Sequence, residues 1–177
     1  ECLVAAENPG ELSTGASEQL SVAVKQGVEP IFASSPCWER KLEALSCRDL
    51  IVDALLGTGA TGAVQGPIQA SIAAINSSGV PVIAVDIPSG IHGDTGEELG
   101  DSIWACRTVT FGLPKPFLFQ GIGLEHSGYW TVAEIGFPSE LLQEPTRAQL
   151  LDCRWVGQLL PERLRASHKG ENGSILI

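Results

Sequence analysis

Short apolar runs alternate with segments of helical periodicity along the chain. The strand-like runs are residues 2–6, 28–33, 49–56, 80–87, 107–112 and 129–136. Helices are predicted at 13–26, where Ser13 or Thr14 can cap the first turn, at 36–45, and from Gly66 and Pro67 onward. Strands that are apolar on both faces and separated by helices are typical of a parallel sheet covered on both sides. We therefore predict an α/β fold: a Rossmann-like doubly wound, mainly parallel sheet with helices on both faces.

The pattern changes after Gly136. Residues 138–154 indicate a polar helix and a linker, 155–160 a short amphipathic turn, and 165–177 a basic loop that leads into a new strand. The chain contains no methionine, and it opens and stops inside strand-like runs. We therefore expect an internal fragment whose first domain spans 1–143 and lacks its N-terminal part. Residues 144–177 are then expected to be a linker and the start of a second domain.

Composition and charge narrow the classes of function. The formal net charge is −10 with 18% charged residues, which argues against a general nucleic-acid binder. The five cysteines form no C-x-x-C pair, so we expect a reducing compartment and a cytoplasmic protein. Because no apolar stretch approaches the roughly 18 residues of a membrane span, no membrane partner is expected.

The loops that follow two predicted strands carry the candidate chemistry, because ligands of such sheets bind beyond the carboxyl ends of the strands. The first loop contains Gly57-Thr58-Gly59-Ala60-Thr61-Gly62, a G-x-G-x-x-G pattern. Glycines let backbone N–H groups approach a phosphate closely, and Asp86 then stands where a ribose-binding acid would. This pattern alone suggests an NAD(P)-dependent oxidoreductase. However, the pattern normally follows the first strand of its domain, and no proton donor for hydride transfer can be placed.

Two aspartates lie at the ends of these strands. Asp53 interrupts an apolar run, where a carboxylate is costly unless it is hydrogen-bonded to local backbone or bound to a cation. With Asp86 and Ser89 it offers oxygen ligands, which suit a hard cation. Asp86 either reaches a ligand cleft or only caps its loop; Pro88 would stiffen that turn and Gly90 would permit it.

Three further positions carry weaker signals. Lys115 could contact a phosphate, but an ordinary exposed loop lysine is favoured. The stretch 168–170, His-Lys-Gly, either lines the entrance of a second domain or is a solvated loop. His92 and His126 show no metal-ligand spacing.

Four stretches taken together resemble one known family. The segments "VDALLGTGATG", "AVDIPSGIHGDTGEELG", "ACRTVTFGLPKPF" and "GYWTVAEIGFP" resemble, in this order, the NAD(P)H-hydrate epimerase domain. The final "LPERLRASHKGENGSILI" resembles the start of the ADP- or ATP-dependent NAD(P)H-hydrate dehydratase domain. Proteins that join both domains are bifunctional nicotinamide nucleotide repair enzymes. The resemblance covers 49–177 well and 1–48 loosely.

The resemblance implies an isomerase that interconverts the R and S forms of hydrated NADH or NADPH, NADHX and NADPHX. It implies a potassium ion held by Asp53 and Ser89, and Asp86 as the acid–base residue that also contacts the substrate. The remaining implied substrate-binding residues are Gly57, Thr58, Gly59, Ala60, Thr61, Gly62 and Ala63. The dehydratase, a lyase, would use ADP or ATP with magnesium at a site beyond this sequence, and a homo-oligomer is possible.

The family also carries an asparagine- and glycine-rich loop after its first strand. This sequence shows no such loop, so we expect the fragment by itself to be inactive. A non-catalytic binding or scaffold module is the alternative, because related domains serve as scaffolds in RNA-processing proteins. The charged cleft formed by Asp53, Asp86 and Ser89 favours the enzyme, since a scaffold need not keep it.

Overall fold

The computed structural model describes residues 1–142, 150–160, 166 and 168. The chain divides into two compact units, Glu1–Pro138 and Ser139–Ile177. The strands are β1 (Cys2–Val4), β2 (Pro30–Phe32), β3 (Ile51–Asp53), β4 (Val82–Val85), β5 (Arg107–Phe111) and β6 (Tyr129–Ala133). The α-helices are α1 (Thr14–Lys25), α2 (Trp38–Glu43), α3 (Gly66–Ser77), α4 (Gly123–His126), α5 (Ser139–Leu142) and α6 (Cys153–Leu159).

All strand pairings between these elements are parallel. Strands β1 and β2 form a two-stranded sheet, and β3, β4, β5 and β6 form a four-stranded sheet in chain order. Parallel neighbours need crossover connections, and α3 supplies the one between β3 and β4. The predicted α/β class with a mainly parallel sheet is therefore confirmed.

Strand β3 is shorter than the apolar run 49–56 suggested. The strand ends at Asp53, because the next backbone donors turn to side chains instead of a neighbouring strand. Leu55 N–H donates to Asp53 Oδ1 (3.2 Å), and Leu56 N–H donates to Ser89 Oγ (2.9 Å). The chain therefore leaves the sheet at the residue where the candidate site begins.

Helix α3 packs an apolar face against the sheet. Pro67 lies in its first turn, and Ile72 and Ile75 are buried. They join one cluster with strand and loop residues: Leu45, Ile51, Val64, Val82, Ala84, Ile103 and Ala105. The predicted helix that begins at Gly66 and Pro67 is thus confirmed, and its burial holds the amino end of α3 beside the loop after β3.

A second cluster supports the loop that follows β4. It contains Ile87, Ile91, Phe117 and Leu118, with Trp130 packed against it. Phe117 and Leu118 lie on a short 3-10 helix that follows β5. Consequently the segments that follow β4 and β5 are packed together.

The other predicted helices also form. Ser13 caps α1 by accepting a hydrogen bond from Ala16 N–H (3.3 Å). The predicted helix 36–45 is α2, followed by the 3-10 helix Ala44–Cys47.

After Pro138 the described residues contain the helices α5 and α6. Helix α6 is capped by Asp152, whose Oδ1 accepts from Trp155 N–H (2.7 Å). In the predicted basic loop, Ala166 and His168 are described and exposed, and the predictions for Lys169 and Gly170 lie outside the described residues. The predicted boundary between 143 and 144 lies outside them as well. Among the described residues, no helix has the length and apolar character needed to cross a membrane.

Candidate active site

The carboxyl ends of β3 and β4 lie side by side. Asp53 is the last residue of β3 and is in register with Ala84 of β4, and Asp86 follows β4 directly. The predicted placement of the two aspartates at the ends of neighbouring parallel strands is confirmed. The loops that follow these strands form what we call the strand-end site: residues 53–64 and 86–90.

Asp53 and Ser89 are in direct contact. Asp53 Oδ2 accepts from Ser89 N–H (2.8 Å) and Oδ1 accepts from Ser89 Oγ (2.6 Å) and Leu55 N–H (3.2 Å). Both residues are buried, with 1% of each exposed. Asp53 therefore forms hydrogen bonds to nearby backbone, as one of its two sequence-based interpretations predicted. They also bring together the two residues proposed from the sequence as cation ligands.

Burial dominates the electrostatics of Asp53. It raises the pKa of the Asp53 carboxyl, and the hydrogen bonds from Ser89 and Leu55 oppose part of that effect. No lysine, arginine or histidine within the described residues forms an ion pair with Asp53. A cation beside the carboxylate would supply the missing opposite charge.

The available ligands suit a hard cation. A carboxylate has about four acceptor positions. The three hydrogen bonds to Asp53 leave one acceptor position free, on Oδ2. Ser89 Oγ donates to Asp53 and accepts from Leu56 N–H, which leaves it one lone pair. These donors are all oxygen atoms. In the described part of the chain, no group of three or more His, Cys, Asp or Glu residues could hold a metal ion. The donor set around Asp53 and Ser89 thus consists of oxygen atoms only, without the thiolate or imidazole ligands typical of zinc sites.

The glycine-rich loop presents unpaired backbone donors. Among residues 57–63 only Ala60 N–H has an acceptor in the described structure, Gly57 O at 3.2 Å. Most of the loop is exposed, and α3, whose first residue is Gly66, has no side-chain cap on its N-terminus. Unpaired N–H groups beside a helix N-terminus form an environment that favours anions.

Backbone hydrogen bonds tie this loop to the loop after β4. Val64 N–H donates to Leu99 O (2.8 Å), and Leu99 N–H donates to Gly90 O (2.7 Å). Gly90 has φ of 92°, and a Cβ there would lie 2.0 Å from Asp101 O. The expectation that Gly90 permits this turn is confirmed, because no side chain fits that space.

Asp86 has an unusual backbone conformation. Its φ is 69°, a positive value that no other non-glycine residue in the described ranges has. Ile87 N–H donates to Val85 O (2.9 Å), which closes a γ-turn centred on Asp86. Such a conformation is strained for most side chains and is least unfavourable for Asp and Asn. The turn redirects the chain at the point where the strand ends.

The Asp86 carboxylate is held from the side of β5. Its Oδ1 accepts from Phe111 N–H (3.0 Å), Thr110 Oγ1 (3.2 Å) and Lys115 Nζ (2.5 Å). Lys115 is therefore not the ordinary exposed loop lysine that was favoured from the sequence. It forms an ion pair with Asp86 in which 21% of the Lys115 side chain and 18% of the Asp86 side chain are exposed.

A signal for this contact was present in the sequence. Lys115 follows the carboxyl end of β5, and β5 is the neighbour of β4. The argument that brought Asp53 and Asp86 together applies equally to this position. The contact was missed because nothing in the loop around Lys115 indicates that β5 pairs with β4.

The two histidines of the first unit have structural surroundings. His126 is buried, its Nδ1 lies 2.8 Å from Ser102 Oγ, and its ring contacts Trp104. Burial lowers the pKa of His126, against the opposite effect of Glu98 and Glu125. His92 Nδ1 accepts from the N–H groups of Asp94 and Thr95 (both 3.3 Å). These hydrogen bonds occupy Nδ1 of both rings, whereas Nε2 of His126 is buried without a hydrogen-bond partner among the described residues.

Comparison with known proteins gives one family. Residues 2–117 match the family described as YjeF-related protein N-terminus. A relative from Thermofilum pendens, named bifunctional NAD(P)H-hydrate repair enzyme Nnr, is 40% identical over 175 residues, covering 99% of this chain and 32% of the relative. The enzyme of the same name from Escherichia coli is 37% identical over 147 residues, covering 83% of this chain and 27% of the relative.

A shorter relative matches the same region. The NAD(P)H-hydrate epimerase of Weissella koreensis is 40% identical over 127 residues, covering 71% of this chain and 54% of the relative. The chain thus spans about a third or less of the bifunctional relatives, and about half of the epimerase.

Proposed function

Since the chain belongs to the family described as YjeF-related protein N-terminus, we propose that it is part of an NAD(P)H-hydrate epimerase. Its substrates are NADHX and NADPHX, the hydrated forms of NADH and NADPH, and it interconverts their R and S epimers. The names of the relatives from Thermofilum pendens and Weissella koreensis support this substrate class.

The observation that carries the proposal is the strand-end site. Asp53 with Ser89, the glycine-rich loop and Asp86 all lie at the carboxyl ends of β3 and β4, where ligands bind in sheets of this class. An oxidoreductase is less well supported. The glycine pattern lies in the loop 54–65 and α3 begins only at Gly66, so the pattern does not open the helix as a dinucleotide fingerprint would.

Backbone donors are proposed to bind the phosphates of the substrate. The loop 57–63 offers N–H groups without an acceptor in the described structure, and the uncapped N-terminus of α3 adds to the positive potential there. This arrangement binds an anion without a cationic side chain, which agrees with a chain of net charge −10. Gly57, Thr58, Gly59, Ala60, Thr61, Gly62 and Ala63 are the residues proposed for this role.

Asp86 is proposed as the acid–base residue. Epimerisation inverts the carbon that carries the added hydroxyl. We propose that the hydroxyl gives its proton to Asp86 and becomes a carbonyl while the bond from this carbon to the ring nitrogen breaks and its electron pair passes to that nitrogen. The nitrogen then adds to the other face of the carbonyl, and Asp86 returns the proton to the oxygen. The net proton balance is zero, and a single carboxylate can perform both transfers. Asp86, whose Oδ1 forms an ion pair with Lys115, is proposed to act first as the base and then as the acid.

Asp53 and Ser89 are proposed to hold a potassium ion. The support is a buried carboxylate without a positively charged partner among the described residues, and donors that are all oxygen atoms. When bound, the cation would neutralise Asp53 and strengthen the binding of phosphate oxygens. The protein's own part is to fix Asp53 through the two hydrogen bonds from Ser89.

For the whole protein we propose a bifunctional repair enzyme. The names of the relatives from Thermofilum pendens and Escherichia coli support a bifunctional NAD(P)H-hydrate repair enzyme. Its proposed dehydratase half, a lyase, would use ADP or ATP with magnesium to restore NAD(P)H from the S hydrate, in line with the resemblance of the final residues to the start of such a domain. We place it in the cytoplasm because of the five cysteines without a C-x-x-C pair. A homo-oligomer is possible. The boundary between the halves is proposed near residues 143 and 144.

The test is the rate of R-hydrate conversion by the complete gene product that carries this sequence. A separately supplied dehydratase that consumes only the S hydrate makes the appearance of NADH depend on epimerisation. Asp86→Asn keeps the shape of the side chain but removes a proton acceptor. Activity should fall about 10²–10⁴-fold, the usual weight of general acid–base catalysis.

Asp49→Asn is the matched control, because Asp49 is an exposed aspartate just before β3. It should keep full activity. A wild-type protein that does not accelerate R-hydrate conversion would favour the scaffold alternative. Near-normal turnover by Asp86→Asn would show that Asp86 has only a binding or structural role.

A further inference from the structure

Lys115 uses all of its hydrogen-bond donors inside the protein. An ammonium group has three donors. Lys115 Nζ donates to Asp86 Oδ1 (2.5 Å), to Thr110 Oγ1 (3.0 Å) and to Phe111 O (3.2 Å). No donor is left for a phosphate, so the alternative of Lys115 as a phosphate ligand finds no support in this geometry.

Thr110 completes the arrangement. It is fully buried, its Oγ1 accepts from Lys115 Nζ, and the same hydroxyl lies 3.2 Å from Asp86 Oδ1. One hydroxyl can accept from the lysine while donating to the carboxylate. With Phe111 N–H, three donors therefore converge on one oxygen of Asp86.

The two oxygens of Asp86 are thereby made unequal. Oδ1 is held by three donors, whereas no hydrogen bond from the described residues reaches Oδ2. The side chain is 18% exposed, so the carboxylate has access to the strand-end site while its other oxygen is fixed. The three hydrogen bonds to Oδ1 belong to the surrounding structure that holds Asp86 at its strained φ of 69°.

We infer that Lys115 and Thr110 are positioning residues for the proposed epimerisation, and that Oδ2 of Asp86 is the oxygen that exchanges protons with the substrate. This inference rests on the proposed function for its catalytic consequence. The fixed orientation of Asp86 is a separate claim about the protein alone. Positioning of this kind matters because a misplacement of about 1 Å can cost about 10²-fold in rate.

The experiment compares Lys115→Met, Thr110→Val and Thr110→Ser in the complete gene product. Lys115→Met removes all three donors while keeping an unbranched side chain, and Thr110→Val replaces the hydroxyl with a methyl group. We expect kcat to fall about 10–10²-fold in Lys115→Met and less in Thr110→Val, with KM changed less than about threefold. Thr110→Ser restores the hydroxyl and should recover most of kcat.

Lys41→Met is the matched control. Lys41 forms an ion pair with Glu1 that is also partly buried, with 29% and 26% of the side chains exposed, but it lies away from the strand ends. A purely structural role of Lys115 predicts that both methionine variants lower the unfolding temperature to a similar extent and leave kcat unchanged. The positioning role predicts loss of kcat only in Lys115→Met.

Crystal structures of Lys115→Met and Thr110→Val separate this inference from the proposed function. We expect the Asp86 carboxylate to rotate or to occupy two conformations in them. If Asp86 keeps its orientation in both variants, the positioning inference is wrong, whatever the activity. If wild-type protein does not convert the hydrate but Asp86 rotates, the proposed function fails while the positioning of Asp86 stands. If Lys115→Met does not fold, the orientation of Asp86 in Thr110→Val tests the positioning inference, because this substitution changes neither the charge nor the volume of the side chain appreciably.

Discussion

At the residue scale, Asp53 carries a cost that the described protein does not fully offset. The carboxyl is buried, its pKa is raised by burial, and its partners are Ser89 and backbone N–H groups instead of a cationic side chain. Removing a carboxylate from water costs several kcal/mol unless an opposite charge is close, by order of magnitude. Any cation that binds beside Asp53 therefore stabilises the folded protein as well as the site.

We predict that potassium raises the unfolding temperature of the complete gene product at constant ionic strength, with choline as the replacement cation. A ligand at about 100 times its dissociation constant adds about 2.7 kcal/mol. Asp53→Asn removes the charge that attracts the ion, so its unfolding temperature should depend much less on potassium. Asp49→Asn, an exposed aspartate beside the same strand, should respond like wild type. An unchanged potassium response in Asp53→Asn would show that the ion binds elsewhere.

The sequence predicted the placement of single residues well where the local pattern is unusual. Asp53 stands out because a carboxylate interrupts an apolar run, and its contact with Ser89 followed from the ends of parallel strands. Lys115 has no such local contrast, since a lysine between two prolines is an ordinary loop residue. Its pairing with Asp86 depends on the neighbouring position of β4 and β5, which only the assembled sheet supplies.

At the element scale, the loop after β4 is held by a close backbone approach at Gly90. Ser89, just before it, accepts Ile103 N–H at its carbonyl (2.9 Å), and Gly90 itself lies against Asp101 O. Ser89, the proposed cation ligand, is therefore fixed by the same packing that excludes a side chain at position 90. The packing at Gly90 therefore also fixes the geometry of the contact between Asp53 and Ser89.

Two glycine variants separate backbone strain from this close approach. Gly27 has φ of 89° and a Cβ added there would have nothing within 4 Å, whereas Gly90 has φ of 92° and a Cβ would lie 2.0 Å from Asp101 O. Gly27→Ala should lower the free energy of unfolding by about 1–2 kcal/mol, the cost of the left-handed conformation. Gly90→Ala should cost a further 1–3 kcal/mol or so from overpacking.

Urea unfolding followed by tryptophan fluorescence measures both variants. Equal losses of unfolding free energy would show that the contact with Asp101 is relieved at little cost. In Gly90→Ala the loop must move, so its potassium dependence should also weaken. Gly27→Ala, at the end of α1, should leave that dependence intact.

Element types were predictable, but their lengths were less so. The helix at Gly66 and Pro67 and the strands β4, β5 and β6 lie where the hydrophobic pattern placed them. Strand β3 is shorter than its apolar run, because Leu55 and Leu56 donate to Asp53 and Ser89 and not to a strand. The hydrophobic pattern predicts which residues are buried, but it does not predict which acceptor a backbone N–H group bonds to.

At the scale of the whole molecule, the first unit contains its own cores. The residues of both buried clusters lie between Leu45 and Leu118. The partly buried residues packed against the clusters extend no further along the chain than Trp130, so all of them belong to Glu1–Pro138. The four-stranded sheet also ends with β6 inside this unit. The strand-end site therefore lies entirely within residues that form one compact body.

We predict that a chain ended at Pro138 unfolds in urea with the same midpoint and slope as the tryptophan-monitored transition of the 177-residue chain. The slope reports the surface exposed on unfolding, so an unchanged slope means an unchanged folded unit. A chain ended at Ser127 is the control, because it removes β6, the partner of β5. It should lose the cooperative transition. Loss of the transition in the longer fragment would mean that the fold extends past Pro138.

The backbone of Asp86 has a consequence for the tolerance of this position to substitution. The γ-turn with positive φ at position 86 is readily adopted by Gly, is strained but least unfavourable for Asp and Asn among the other residues, and penalises β-branched residues most. Under the proposed function, two independent filters act on this one position: the backbone conformation accepts a small set of residues, and the proposed chemistry accepts only the carboxylate within that set. A chain with Asn or Gly at position 86 would pass the first filter and fail the second. A single nucleotide change at this codon would then separate ligand binding from turnover, which is a short route from an enzyme to a folded binding protein.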